Sequence, residues 1–406
     1  MAVISFLSKT PGEKLINESD FVTETMTVDQ QMPEIGIFED HFEGHHLAYV
    51  ETLVRYIFEK KKQRPLLLLS EEVQASQQYE IFLKPLESKF EVISLKPIKK
   101  MSSFLRFRRL AGVLKDLEKC GVRTLLIPTA GHLAHMAGIA SFVGFRSKKI
   151  EIRCGLLRLG VAYPGRSRWR RLMHGLSFWL LQRAPMTIFY FDEYAVNVMR
   201  KKTGINLKTI PDPYYSSGIE TSTLTSANNL SSSGSICFGC LGGLDRRKGA
   251  DLLIDAFVKA KFKTKPSLLL AGQITDPTIL SKVGVAQTMF GNERVVHLNK
   301  FLSNEDYFVA LRKMDVVCLP YRRHIGPSGV FVQAASAGKV VIVSNYGWLS
   351  WEAKKYNKSR FFEEGQLDGL IEIMERIEID FEKLVNVSGD YIPASQTKFG
   401  EILCGF

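Results

Sequence analysis

The sequence predicts an α/β fold: two doubly wound parallel-sheet domains facing a cleft. Three observations carry this. Short apolar runs alternate with longer segments of helical period almost throughout the chain. The runs are continuous in Val, Ile and Leu rather than alternating with polar residues, which suits parallel strands buried on both faces. Near the middle, residues 213–235 ("PYYSSGIETSTLTSANNLSSSGS") break the pattern with a Ser-, Thr-, Asn- and Gly-rich linker composition.

The chain has 406 residues, more than one ordinary core accommodates. The expected layout is a Rossmann-like domain over 1–212, the linker 213–235, a second Rossmann-like domain over 236–390, and a tail 391–406 free to return to the first domain. The strands of the first half read as "EIGIFE", "PLLLLS", "FEVISL", "RTLLIPT", "KIEIRCGL" and "MTIFYF". Those of the second read as "SICFGCLG", "SLLLAG", "RVVHLN", "DVVCLP" and "KVVIVSN". The segments between them are helical. In "KGADLLIDAFVKA", Leu252, Leu253, Ala256 and Phe257 share one stripe.

An apolar fraction of 45% and a charged fraction of 24% are ordinary for a globular protein. The net charge of +12 favours anionic partners. Nucleic acid ranks last among them, because neither zinc-finger spacing nor an aromatic single-strand platform is present. The six cysteines lie mostly in apolar runs and read as reduced core thiols of a cytoplasmic protein. Cys237 and Cys240 form a C-x-x-C with no second pair to complete a metal knuckle. No run approaches the roughly 20 apolar residues of a membrane span, and the first residues are too weakly apolar for a signal peptide.

Two stretches carry chemistry. In "CFGCLGGLDRRKGADLLIDAF" a strand enters a glycine-rich turn, then cations, then a helix. Gly242 and Gly243 let the backbone approach a ligand closely. Arg246, Arg247 and Lys248 put positive charge where a phosphate would lie. Neither G-x-x-x-x-G-K-[ST] nor G-x-G-x-x-G is present, so a plain βα turn with solvated charges is the competing reading. In "YRRHIGPSGVFVQAASAGK" a basic loop leads to a helix beginning near Ser328. Its free N–H groups at Ser328 and Gly329 form a site for an anion. The small residues Ala334, Ala335, Ser336, Ala337 and Gly338 let that helix pack closely on the sheet.

Taken in order, "RKGADLLIDAF", "LLLAG", "VVHLNKFLSNEDYFVALRKMDVVCLPY" and "GPSGVFVQAASAGKVVIVSN" resemble the donor half of a GT-B glycosyltransferase. The resemblance is strongest to the family-four, group 1 retaining enzymes and covers about residues 235–378. It implies transfer of a sugar from a nucleotide diphosphate sugar to a glycan, lipid or small-molecule acceptor. It further implies retention of configuration and no metal or other cofactor. Lys248 matches the basic residue that meets the diphosphate. Gly243 stands where such enzymes usually carry an arginine, leaving Arg246 or Arg247 to substitute. Two glutamates eight positions apart are usual there, one near the transferred sugar and one on the ribose. Here the positions read Ile325 and Gln333. Gln333 retains hydrogen-bonding capacity toward a ribose, whereas Ile325 cannot replace a carboxylate. A protein that binds nucleotide or glycan without transfer is the alternative.

In the first half, "EDHFEGHHLAYVETLVRYIFEK" sets Gly44, His45 and His46 between a strand and a helix, and the resemblance implies that this first βα loop borders the cleft, where acceptor or donor phosphate would be met. His132 follows a strand's carboxyl end and is the catalytic candidate of this half. With His135 it has i, i+3 spacing, but no third ligand stands out for a metal. Residues 166–183 read as a basic amphipathic helix. The stripe Trp169, Leu172, Met173, Leu176, Trp179 and Leu180 is expected to face the core, leaving a solvated basic edge. Peripheral contact with an anionic membrane, at its inner face, is the second reading of this helix.

Overall fold

The structure is a computed structural model that describes residues 33–41, 46–96, 103–119, 121–144, 149–163, 168–213, 235–300 and 302–406. By contacts the chain divides into two compact units. The first holds residues up to Leu156, Leu176–Phe189 and Gly400–Phe406; the second holds Leu157–Gly175 and Tyr190–Phe399. Almost all of the linker assigned to 213–235 lies outside the described residues.

The first sheet contains β1 (Ile35–Glu39), β2 (Leu66–Ser70), β3 (Glu91–Leu95), β4 (Thr124–Ile127), β5 (Glu151–Leu156), β6 (Thr187–Tyr190) and β7 (Lys208–Thr209). Their order is β3-β2-β1-β4-β5-β6-β7, and β1 pairs parallel with both β2 and β4. All five residues of β1 and of β2 are buried, which is why these strands read as unbroken apolar runs.

The second sheet contains β8 (Cys237–Leu241), β9 (Ser267–Ala271), β10 (Val295–Leu298), β11 (Val316–Leu319), β12 (Val340–Ser344) and β13 (Ser359–Phe362). Its order is β10-β9-β8-β11-β12-β13, with every neighbouring pair parallel. The helix Ala250–Lys259 buries the expected stripe of Leu252, Leu253, Ala256 and Phe257 against one face. The helix Gly329–Ser336 covers the other face through Phe331, Ala334 and Ala335. Each sheet therefore has a topological switch point, between β1 and β4 in one and between β8 and β11 in the other. The carboxyl ends of the strands flanking such a point are where open α/β sheets bind ligands.

All eleven strands read from the sequence are present; β7 and β13 were not foreseen. Cys154, Cys240, Cys318 and Cys404 are buried free thiols, as expected for core positions. Among the described residues no helix is long and apolar enough to cross a membrane.

One expectation fails. The helix Arg168–Leu181 turns Phe178 and Leu181 inward, while Trp169, Leu172, Met173, Leu176 and Trp179 are exposed. The core-facing reading of this stripe is overturned. The helix packs through a narrower face that includes His174, whose ring lies against Gly160, and through a close approach at Gly138. A Cβ at Gly138 would overlap the Leu180 carbonyl.

Candidate active site

The second unit builds its site around the β8/β11 switch point. After β8 the chain passes Gly242 at φ +92°, a conformation that favours glycine. A Cβ on Gly242 would also stand 2.9 Å from the Lys248 ammonium. Asp245 Oδ1 accepts from the Lys248 amide at 2.7 Å and closes the basic turn. Gly249, at φ +72°, ends that turn so close to the Pro320 carbonyl that no Cβ would fit. The turn after β8 and the loop after β11 are thereby pressed together.

Arg322 fastens them. Its amide donates to the Arg247 carbonyl at 2.7 Å and its guanidinium to the Arg246 carbonyl at 2.6 Å. The same guanidinium forks onto Asp251 at 2.6 and 3.0 Å, a bidentate pair that fixes orientation as well as charge. The sequence places Arg322 in the basic loop but does not show its pairing, because Asp251 stands 71 residues away.

The cations of this turn have different employments. Arg246 is paired with Asp276 at 2.9 Å and donates to Thr278 at 2.7 Å. Arg247 is exposed and stands 3.7 Å from Asp245. Lys248 is half-buried, and its ammonium sits 5.7 Å from the centre of the Tyr321 ring. Among the described residues its Nζ has no carboxylate or other acceptor. Burial pushes its pKa below the ordinary lysine value; Arg247 adds to this, and Cys240 and Asp245 oppose it. A desolvated ammonium with no hydrogen-bonding acceptor is costly unless an anion completes the site.

The loop after β11 is shaped by Arg323, a non-glycine residue at φ +48°, and by Gly326 at φ +90°. Such backbone strain collects at ligand-binding loops. The His324 ring lies 5.1 Å from the Tyr321 ring, and its Nε2 donates to the Pro327 carbonyl at 3.1 Å. Burial pushes its pKa down to about 4 against that hydrogen bond, with Arg247, Lys248 and Arg158 adding to the fall, so the imidazole is neutral at neutral pH. Ser328 caps the helix Gly329–Ser336, its side chain accepting from the Phe331 amide at 3.3 Å. The first amides of that helix lack intrahelical acceptors, as at any helix start. Gln333 follows on the second turn, half-buried, and Ile325 is half-buried in the loop.

A buried pair supports this loop from behind. The Gly326 amide donates to the Tyr163 hydroxyl at 3.4 Å, and that hydroxyl donates to Asp192 Oδ2 at 2.6 Å. Asp192 also caps the helix Glu193–Thr203 by accepting from the Ala195 amide at 2.9 Å. Burial raises the Asp192 pKa to about 6, against the hydrogen bonds from Tyr163, Ala195 and Gly326.

The first unit has its own cluster at the β1/β4 switch point. Buried Glu39, the last residue of β1, accepts from Thr129 Oγ1 at 3.0 Å and lies 3.2 Å from His46 Nδ1. The same Thr129 oxygen is 2.8 Å from His46 Nδ1. Asp40 lies 3.7 Å from Arg106, and the Arg106 guanidinium contacts the His41 ring. Burial works against the His46 imidazolium, but the Glu39 hydrogen bond and the charges of Glu39 and Asp40 overcome it and raise its pKa. Asp40 is also raised, first by burial and then by Glu39.

Gly44 and His45 lie outside the described residues. His132 occupies the second position of the helix Gly131–Ala140, and its side chain lies outside the described set. Both ring nitrogens of His135 are hydrogen-bonded, one to Ser177 Oγ at 2.6 Å and the other to the Gly131 carbonyl at 3.0 Å. Among the described residues no group of three His, Cys, Asp or Glu could hold a metal.

Two parallel doubly wound sheets, with a basic turn and a helix start at one switch point, define the GT-B class of fold. Residues 236–377, which span the second sheet, match the family model described as Glycosyl transferases group 1. No curated protein sequence matches the chain. Among solved structures, Anabaena HepE in complex with UDP is similar at a TM-score of 0.62 and 15% identity, over 92% of this chain and 95% of that one. WaaG, a glycosyltransferase involved in lipopolysaccharide biosynthesis, is similar at 0.62 and 12%, over 92% of this chain and all of its own (100%). A putative UDP-N-acetylglucosamine 2-epimerase from Listeria monocytogenes is similar at 0.57 and 14%, over 92% of this chain and 95% of that one. These likenesses establish the fold, while the reaction must be argued from the site.

Proposed function

We propose that the protein is a glycosyltransferase moving a sugar from a nucleotide diphosphate sugar to a glycan, lipid or small-molecule acceptor. Retention of configuration and independence of metal belong to this reading on the strength of the resemblance to group 1 enzymes. The observation that carries the proposal is Lys248: a half-buried ammonium without an acceptor among the described residues, in the turn after β8. Breaking the bond between the anomeric carbon and the phosphate oxygen leaves the electron pair on the diphosphate. The acceptor hydroxyl forms the new bond to the anomeric carbon, and its proton passes to the departing diphosphate. Stabilising the departing diphosphate with fixed charge is the main catalytic requirement. Lys248 and the Gly329 and Val330 amides supply it, with Arg247 at the exposed rim and Gln333 for the ribose.

Calorimetry with uridine and guanosine diphosphates tests the donor site. The HepE complexes contain UDP and UDP-glucose, so uridine donors come first in the panel. Absence of binding by either diphosphate, with Lys248→Ala behaving as wild type, would sink the reading. The anomeric configuration of the product, read by NMR, tests retention, and turnover after chelation tests metal independence.

Ile325 favours one second reading. It stands where group 1 relatives place a carboxylate near the transferred sugar, so a chain that binds nucleotide without transfer is coherent with this loop. Donor-dependent turnover that Lys248→Ala abolishes would exclude it.

A further inference from the structure

The helix Arg168–Leu181 keeps its largest apolar side chains in water. Trp169 is 68% exposed and Leu172 63%, and Met173, Leu176 and Trp179 continue the same face along the helix. Beside Trp179 lies Phe142, 59% exposed, with the two rings stacked at 5.4 Å. The Arg183 guanidinium stands 3.7 Å over the Trp179 ring. Apolar residues scattered singly on a surface need no explanation, but a contiguous aromatic and aliphatic face does.

Charge narrows what this face fits. Between Glu151 and Asp192 the chain carries seven arginines (153, 158, 166, 168, 170, 171 and 183) and no acidic residue. Of these, Arg168 and Arg183 are exposed beside the face, and two copies meeting through it would bring these cations together, which like-charge repulsion opposes. A surface apolar in depth and anionic at its boundary satisfies both features. Indole rings sit at the level of lipid headgroups, apolar side chains enter the acyl boundary, and arginines reach the phosphates.

We propose that the outer face of the helix Arg168–Leu181, with Phe142 and Arg183, docks the protein onto an anionic phospholipid surface. The helix lies in the plane of the interface without crossing it. Trp169, Leu172, Leu176 and Trp179 supply apolar contact; Arg168 and Arg183 supply attraction to phosphate. Neither contribution alone gives stable attachment, since polybasic attraction is screened by salt and a short apolar face binds only marginally. The inference is independent of sugar transfer, because attachment is read without a donor.

The test uses the full chain and vesicles of phosphatidylcholine with and without phosphatidylglycerol. Co-sedimentation with the anionic vesicles is expected, weakening as salt is raised, with a blue shift of tryptophan emission. The double variant Trp169→Ser/Leu172→Ser is expected to lower partitioning by about tenfold or more. Arg168→Glu/Arg183→Glu should remove the preference for anionic vesicles. All four positions are on the surface, so an unchanged melting temperature confirms that the variants are folded. Three results would overturn the proposal: no binding to anionic vesicles, equal binding to neutral ones, or a dimer that Trp169→Ser/Leu172→Ser dissociates.

Discussion

The Tyr163 hydroxyl donates to Asp192 at 2.6 Å while accepting from the Gly326 amide, so a residue before the Arg168–Leu181 helix holds the loop after β11. The Tyr163 ring is packed between Tyr194 and Tyr346, at 5.5 and 5.8 Å. The pair positions the start of the helix proposed to meet the diphosphate. Tyr163→Phe is therefore expected to weaken nucleoside diphosphate binding several-fold while keeping the fold, as a leucine at the same place would not. Titration calorimetry beside thermal melting separates loop positioning from global damage.

Asp192 makes stability depend on pH. Its folded pKa of about 6 lies above the ordinary 3.8, so between those values the folded state holds a proton that the unfolded state has released. Stability is thus greatest below the lower value and falls as pH rises through the higher one, by at most about 3 kcal/mol. Asn caps helices as well as Asp and does not ionise. Urea unfolding of wild type and Asp192→Asn at pH values on either side of this window should show the variant gaining on wild type as pH rises. Parallel curves would reject the assignment.

Lys248 and Arg246 should separate cleanly. Lys248→Ala removes a charge-assisted contact to the diphosphate, worth about 1.5–3 kcal/mol, so Kd should rise roughly tenfold to more than a hundredfold. Unfolding stability should hold or increase, because the variant relieves an unpaired, desolvated ammonium. Arg246→Ala breaks the contacts to Asp276 and Thr278 and should affect the diphosphate Kd far less. Calorimetry on both variants decides whether Arg246 or Lys248 carries the anion.

Much of this was legible in the sequence. The eleven apolar runs became strands, most plainly β2, β11 and β12, where burial on both faces leaves a continuous apolar signal. β13, "SRFF", was missed because it is short and half-buried, and β7 because two residues carry no pattern. Glycine placement and the helix start at Ser328 marked the stretch proposed to meet the anion. What holds that site was not legible: Arg322 meets Asp251 across 71 residues and Tyr163 meets Asp192 across 29, pairings that no local rule encodes. The stripe beginning at Trp169 shows another limit. Periodicity identifies which residues share a face but not whether that face looks inward, and here the smaller set of Phe178 and Leu181 is buried, with His174 half-buried beside it.

The pairing of Glu39 with His46 predicts a histidine that titrates above its ordinary value. The Glu39 side chain is buried, so its charge acts at short range with little screening. Raised folded pKa means that the pair contributes stability fully below the unfolded value near 6.5, and that this is lost as pH rises through the folded value. Histidine NMR titration should place His46 above the ordinary range in wild type and lower in Glu39→Gln. An unmoved His46 would show that Asp40, and not Glu39, sets its charge.

Gly249 tests how tightly the two halves of the anion site are pressed together. Its φ of +72° is uncomfortable for any side chain, and a Cβ would overlap the Pro320 carbonyl, which belongs to backbone that cannot rotate away. Gly249→Ala should therefore cost more than the roughly 1 kcal/mol of a left-handed alanine alone. Relieving the overlap moves the Arg246–Lys248 turn off the loop after β11 and breaks the Arg322 hydrogen bonds that join them. Diphosphate affinity should fall together with stability. Gly243, which has open space around its missing Cβ and a φ outside the left-handed region, is the control: Gly243→Ala should leave stability nearly unchanged.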